Sequence, residues 1–283
     1  MTTKWWHETS LAIRAAVEGG QMAKGRNFEM ATTKKESIRD VVTAADLAIE
    51  RHIRGLLAES PYRVVGEELT IESRRELLAK DDPVWVVDPI DGTANYVNGF
   101  DYYAISVGLA TNNEFLLGAV CLPERTELFS TLGGDRALLN GRIIVHAHRP
   151  PSESLIAVSF SGVRGDSLKR QQQFLLFGEL NDSSRGCLRL GSAASNLCLT
   201  AAGRFQAAYG FDAHIWDVAA GLAVAVRAGC SACITRSDDG LGIDYIVGSR
   251  ETVSMIRDKS VAIGLLEGSK QQCSKSELVG AAL

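Results

Sequence analysis

No stretch of the 283-residue chain reaches the roughly 20 consecutive apolar residues that a membrane-spanning helix needs, so no membrane partner is expected. The opening MTTKWWHETS has no continuous apolar core of the kind a secretory signal carries. Cysteine is sparse: six residues, Cys121, Cys187, Cys198, Cys230, Cys233 and Cys273, are too few to staple a chain of this length with disulfides. These absences together predict a protein of a reducing compartment, the cytoplasm. A basic excess is missing too, with 30 Lys and Arg against 34 Asp and Glu, for a net charge of −4. A protein that grips a long phosphate backbone needs the opposite balance, so a nucleic-acid polymer is not the expected partner. There is no internal repeat and no low-complexity tract, and 46% hydrophobic with 23% charged residues is the composition of an ordinary globular chain. Nor does the chain contain a G-x-G-x-x-G, a Walker loop, an H-E-x-x-H or an EF-hand loop.

What is present reads as mixed helix and strand. Ile13 and Val17, spaced by four in an alanine-rich segment, predict a helix from Trp5 to about Met22. Thr32 to Ser37 is polar and predicts a mobile loop. A second helix starts near Thr43, with an apolar stripe at Ala45, Ile49, Ile53 and Leu56 and an end at Pro61. Strands are predicted over 62–65, 84–87, 104–110, 115–121, 127–130 and 141–145, with a hairpin turn at Asn112-Asn113. Pro150-Pro151 divides the chain into an N-terminal half, 1–149, and a C-terminal half, 150–283, within one continuous fold. The second half reads as a strand over 155–160, an alanine-rich helix over 192–202, a strand over 207–211, an apolar helix over 218–228 and a strand core over 245–247. The class is α/β or α+β.

Acidic residues recur at the heads of these elements. In Trp85-Val86-Val87-Asp88-Pro89-Ile90-Asp91-Gly92-Thr93 an apolar strand ends in an aspartate, proline stiffens the exit, and a second aspartate follows. Two carboxylates on a stiff segment suit a hard cation such as Mg2+, which takes oxygen ligands. A helical turn beginning at Gly92-Thr93 would offer free N–H groups to a phosphate. The same residues also fit a plain β-turn. Gly66-Glu67-Glu68 follows another apolar run and also fits a solvated loop. Asp46 fits a capping box with Thr43, and Asp217 fits an N-cap for the apolar helix behind it. Each acid has a local explanation, but their recurrence beside apolar residues has none.

In this order the motifs resemble the inositol monophosphatase family of Mg2+-dependent, lithium-sensitive phosphatases. Trp85 through Tyr96 matches the signature W-[IV]-[IV]-D-P-[IL]-D-G-T-x-N-[FY], and Trp216 through Gly221 matches W-D-x-A-[AG]-G. Gly66 to Glu68, Val42 to Asp46 and Arg189 to Ala194 resemble three further family elements, over about residues 10 to 260. The resemblance implies a layered α/β/α/β/α sandwich and a homodimer. It implies a phosphatase acting on a small phosphate monoester, inositol 1-phosphate first, by direct attack of metal-activated water. Histidinol phosphate, fructose 1,6-bisphosphate and 3'-phosphoadenosine 5'-phosphate are the other substrates the resemblance allows. A regulatory or binding protein with the same fold is the alternative of another class.

The resemblance also implies roles. Glu67, Asp88 and the Ile90 carbonyl would hold one Mg2+; Asp88 would bridge to a second, shared with Asp91 and Asp217. A third, weaker Mg2+ would sit near Glu67, giving two to three per site. Asp46 and Thr93 would position the attacking water together with Glu67, Glu68 would stand behind them, and Gly92 and Thr93 would bind the phosphate. The substrate's alcohol would meet Ser161, Arg189, Gly191, Ser192, Ala193, Gly210 and Asp212. One position departs from the pattern. Inositol phosphatases carry an acid where this chain has Gly210, with Asp212 two residues away, and that acid contacts inositol hydroxyls. Gly162, Arg164 and Arg185 are further candidates to meet the alcohol or a second phosphate. Cys230-Ser231-Ala232-Cys233, His146, His148 and His214 read as structural, and the tyrosines and phenylalanine at 96, 100, 102 and 103 as core or dimer contacts. Asn181-Asp182-Ser183 matches a glycosylation sequon that a cytoplasmic chain does not use.

Overall fold

The computed structural model describes residues 4–25, 32–34, 41–69, 73, 82–111, 114–160, 167–237 and 240–266. Two sheets and three layers of helices alternate. Helices α1 (Trp6–Gly25) and α2 (Ala44–Leu57) form the first layer. They cover a seven-stranded sheet in chain order: β3 (Arg63–Gly66), β4 (Val84–Asp91), β5 (Ala104–Ala110), β6 (Phe115–Leu122), β7 (Glu127–Leu132), β8 (Arg136–Leu139) and β9 (Arg142–Ile143). Only β3 and β4 run parallel; the rest form an antiparallel meander. A small separate ladder joins β1 (Thr32–Lys34) to β2 (Val41–Thr43). The short helix α3 (Thr93–Val97) follows β4.

The chain passes through Pro150-Pro151 to a second sheet. Its strands are β10 (Leu155–Phe160), β11 (Gly186–Leu188), β12 (Ala207–His214), β13 (Ser231–Arg236) and β14 (Gly242–Gly248), in the order β11-β10-β12-β14-β13. Helices α5 (Ala193–Ala201) and α6 (Ile215–Arg227) fill the space between the sheets, and α4 (Ser167–Asp182) and α7 (Arg250–Ala262) cover the far face.

The apolar pattern explains the layering. In β4, Trp85 and Val87 enter the core under α1 and α2, while Val84 and Val86 enter the core between the sheets. A strand covered on both faces needs a continuous apolar run rather than an alternating one. Helix α6 is buried almost all round, with Ile215, Val218, Leu222 and Val224 fully covered, as a helix between two sheets must be. Small residues set its approach. A Cβ on Gly108 of β5 would lie 3.0 Å from the Ala220 nitrogen, and one on Gly118 of β6 would overlap the Ala220 backbone. Among the described residues no helix is long and apolar enough to cross a membrane.

Several expectations need correction. Thr32–Lys34 is a strand, because Val41–Thr43 lies across from it as a partner. The buried stripe of α2 ends on Leu57, at a spacing of four from Ile53, with Leu56 partly buried against the same core. That helix stops at Ala58, before Pro61, with the Glu59 and Ser60 N–H groups bonded to the Leu56 and Leu57 carbonyls. The 141–145 strand shrinks to Arg142–Ile143, both exposed. Strands β8 and β11 and helices α4 and α7 were not anticipated. The turn at 112–113, Cys273 and the tail lie outside the described residues.

Candidate metal centre

The DPID segment is not a β-turn. β4 continues through it to Asp91 with a bulge: Asp88 pairs with Ser106 and Asp91 with Ala104, three steps against two. Residues an odd number apart point to opposite faces of a regular strand. The extra residue of the bulge restores both aspartates to one side. There they meet Asp217, and one carboxylate oxygen from each of Asp88, Asp91 and Asp217 lies within 4.8 Å of the others.

Each acid is held by its own element. The Ile90 N–H donates to Asp88 Oδ1 at 2.9 Å. Asp91 lies at the N-terminus of α5, where Oδ2 accepts from the Ser192 hydroxyl at 2.5 Å and the Ala194 N–H at 2.7 Å, and Oδ1 from the Ala193 N–H at 3.2 Å. Free first-turn N–H groups and the helix dipole make that a favourable seat for a carboxylate. Asp217 is the third residue of α6 rather than its N-cap; its Oδ2 accepts from the N–H of the cap residue, His214, at 3.1 Å. The His214 ring stacks on Trp216 with centroids 4.4 Å apart. Asp46 closes the anticipated capping box, with Oδ2 accepting from the Thr43 N–H at 2.8 Å. Its Oδ1 stands 3.4 Å from the Thr93 hydroxyl, which also donates to the Ile90 carbonyl at 3.0 Å.

Glu67 sits beside Asp88 because its N–H bonds the Val87 carbonyl at 3.2 Å. The adjoining Glu68 N–H donates to Glu50 Oε2 at 3.0 Å, and Glu50 pairs with Arg54 at 2.7 Å. A Cβ on Gly66 would overlap the Glu50 carboxylate, which explains the glycine of the G-E-E element. Glu50 is 4% exposed and was not anticipated from sequence.

Burial, then repulsion from Glu67, Asp91, Asp217 and Asp46, holds the Asp88 carboxyl well above its ordinary value. Asp91 is raised to about 7 by burial and then by Asp217, against the opposing pull of its three donors. Buried acids driven to hold protons lack a compensating positive charge. The donor set is all oxygen, which suits a hard divalent cation.

The substrate-side candidates divide. Gly191, Ser192 and Ala193 come to the centre from the C-terminal half: a Cβ on Gly92, at φ 97°, would lie 3.1 Å from the Gly191 carbonyl oxygen. Asn95 ties this junction, donating to the Tyr102 and Leu190 carbonyls at 2.7 and 2.8 Å. Gly210 lies in the middle of β12, immediately before the register shift that ends at Ala213. Asp212 lies in that irregularity at φ 53° and bonds Lys169 at 2.6 Å. Arg189 is exposed, its guanidinium 5.9 Å over the Phe160 ring. Arg185 faces Glu153 at 4.0 Å. Ser161, Gly162 and Arg164 lie outside the described residues. Cys230 and Cys233 are buried free thiols, and burial pushes Cys230 up to about 12, away from the reactive thiolate. His146 is half-buried, its ring 2.7 Å from the Thr200 carbonyl. Tyr96, Tyr102 and Tyr103 are core residues, whereas Phe100 is 52% exposed.

Comparison with known proteins agrees with this picture. The model of the inositol monophosphatase family matches residues 6–268. The chain is 31% identical to inositol monophosphatase 2 of Solanum lycopersicum over 226 residues, 77% of this chain and 84% of the relative. It is 32% identical to the Nus factor SuhB of Pasteurella multocida over 231 residues, 79% and 84% of the two chains. The structure of Mycobacterium tuberculosis SuhB superposes with a TM-score of 0.74 at 28% identity, covering 92% of this chain and 98% of that one. A layered α/β sandwich, a cluster of two buried carboxylates and one half-buried carboxylate, and a family match over nearly the whole chain converge: this protein belongs to the inositol monophosphatase family of phosphoric monoester hydrolases.

Proposed function

We propose that the chain is a Mg2+-dependent phosphatase of a small phosphate monoester. The observation that carries this reading is the Asp88–Asp91–Asp217 cluster within 4.8 Å, set between β4 and α6 beside Gly92 and Thr93. Asp88, Asp91 and Asp217 would hold Mg2+ together with Glu67 and the Ile90 carbonyl, at two to three ions per site. When bound, Mg2+ supplies charge neutralisation of the phosphoryl oxygens and of the leaving alkoxide, and acidifies water. The chain's own residues do the positioning. The Gly92 and Thr93 N–H groups bind the phosphate, and the Thr93 hydroxyl and the Asp46 carboxylate orient the attacking water and take its proton. Glu50 keeps Glu67 in place through the Glu68 N–H.

Relatives named inositol monophosphatase support an inositol monophosphate as the first substrate, and inositol 1-phosphate is the one we put first. One observation favours a second reading, another small monoester: position 210 is a glycine, with no acceptor for inositol hydroxyls. The test is Mg2+-dependent phosphate release from inositol 1-phosphate, histidinol phosphate, fructose 1,6-bisphosphate and 3'-phosphoadenosine 5'-phosphate, with Asp91→Asn as control. Release from at least one, lithium-inhibited and lost in the control, is the expected result. No release from any at saturating Mg2+ overturns the reading and favours a partner-binding role instead. The expected assembly is a cytoplasmic homodimer, which light scattering of the purified chain checks.

A further inference from the structure

The space that a side chain at position 210 would take is already filled. A Cβ built on Gly210 would lie 2.7 Å from Cε1, 3.0 Å from Cζ and 3.1 Å from Oη of Tyr245. Tyr245 is the direct partner of Gly210 across the β12–β14 ladder, and its ring lies over the glycine. It has little freedom to swing away: it is 1% exposed, and its hydroxyl donates to Ser159 Oγ at 3.1 Å. Ser159 is the partner of Gly210 on the other side, in β10, so the phenol spans three strands. The Ser159 oxygen also accepts from Asn196 Nδ2 at 3.3 Å, and Asn196 Oδ1 accepts from the Tyr102 hydroxyl at 2.7 Å. Tyr245, Ser159, Asn196 and Tyr102 thus form a continuous uncharged row. The row borders the metal centre at Tyr102: its carbonyl accepts from Asn95 at 2.7 Å and lies 3.2 Å from a Cβ built on Gly92, beside Asp91. Asp212 does not replace the missing acid, because its carboxylate is engaged by Lys169 and its N–H by Asp244 at 2.7 Å.

We propose that Tyr245 is a specificity-determining residue, its buried ring occupying the place of a side chain at position 210 and so keeping any charged acceptor for the substrate's alcohol out of that position. This deepens the phosphatase reading and rests on it. The chemical consequence is a preference for esters of flat or hydroxyl-poor alcohols over polyol phosphates. A polyol next to this uncharged position gives up water without gaining a charged acceptor for its hydroxyls, and unpaired buried donors are costly. An aryl or alkyl group loses nothing there.

The experiment compares kcat/KM for p-nitrophenyl phosphate and inositol 1-phosphate, with Mg2+, in the wild type, Tyr245→Phe, Tyr245→Val and Gly210→Glu/Tyr245→Val. The wild type is expected to favour the aryl ester. Tyr245→Phe keeps the ring and is expected to keep the preference. Gly210→Glu/Tyr245→Val gains both room and an acceptor, and should move the ratio toward inositol 1-phosphate by about tenfold or more, carried mainly by KM. If the double variant fails to fold by circular dichroism, Tyr245→Val alone decides, with a smaller shift in the same direction. A folded variant whose ratio stays at the wild-type value overturns the proposal and leaves the phosphatase reading standing. So does a wild type that prefers inositol 1-phosphate. Absence of Mg2+-dependent turnover of either ester by the wild type overturns the phosphatase reading, and the role of Tyr245 with it.

Discussion

Asp88 illustrates a residue whose proposed service as a metal ligand costs stability. It is 2% exposed, and burial together with four neighbouring acids raises its carboxyl. Asp88→Asn should therefore reduce turnover by a factor of about 100 or more, while the metal-free variant melts at a higher temperature than the wild type. Steady-state rates and thermal unfolding in EDTA check both halves; retained activity or a lowered melting temperature would contradict the assignment. Asp217→Asn should lose turnover to a similar extent and keep the native circular dichroism spectrum. The acids themselves were legible in the sequence, because each stands at the head of an element inside a distinctive motif. Glu50 and Tyr245 were not. Glu50 lies mid-helix and Tyr245 mid-strand, and nothing local marks either; their roles arise from the glycines they face, Gly66 and Gly210.

At the scale of elements, the decisive features are one bulge and one close helix contact. The bulge in β4 turns an odd spacing of aspartates into a same-side pair. The approach of α6 to β5 and β6 across Gly108 and Gly118 places Asp217 opposite that pair. Gly118→Ala would press a methyl into the Ala220 backbone, at a cost of about 1–3 kcal/mol. A lower urea midpoint accompanied by a drop in kcat is expected, since α6 carries Asp217; an unchanged midpoint would show that the contact can relax freely. Elements with strong apolar runs, such as β4, β5, β10 and α6, were legible from the sequence. Helices α4 and α7 were not, because their sequences are polar and α4 exposes Leu168, Phe174 and Leu175, so no apolar stripe signals a helix. Strand β1 was read as loop because a polar strand is recognised only through its partner.

Over the whole molecule, the buried acids make stability depend on pH and on divalent cations. Asp91 rises from 3.8 to about 7 on folding, so between those values the folded chain holds a proton that the unfolded chain has released. Stability of the metal-free protein should therefore fall as pH rises from about 4 through about 7, with Asp88 acting in the same direction. Mg2+ should offset this by binding the folded state, and more at pH 8 than at pH 5, where it competes with protons. Thermal melts across pH 4–8, with EDTA or with Mg2+, read this directly. A metal-free melting temperature that climbs across that window would refute the electrostatic account.

The sequence by itself determined the family, the alternation of helix and strand, and the motifs that carry the acids the fold gathers, Asp88, Asp91 and Asp217. Those properties reside in short contiguous motifs and in apolar periodicity, both of which are local. Only the tertiary structure decided which acids meet, how Asp91 is seated on the N-terminus of α5, and what occupies the space at Gly210. Those properties depend on the packing of residues more than a hundred positions apart, such as Asp91 against Ala194 and Gly118 against Ala220. Packing is set by the volumes of partners that the linear order does not bring together.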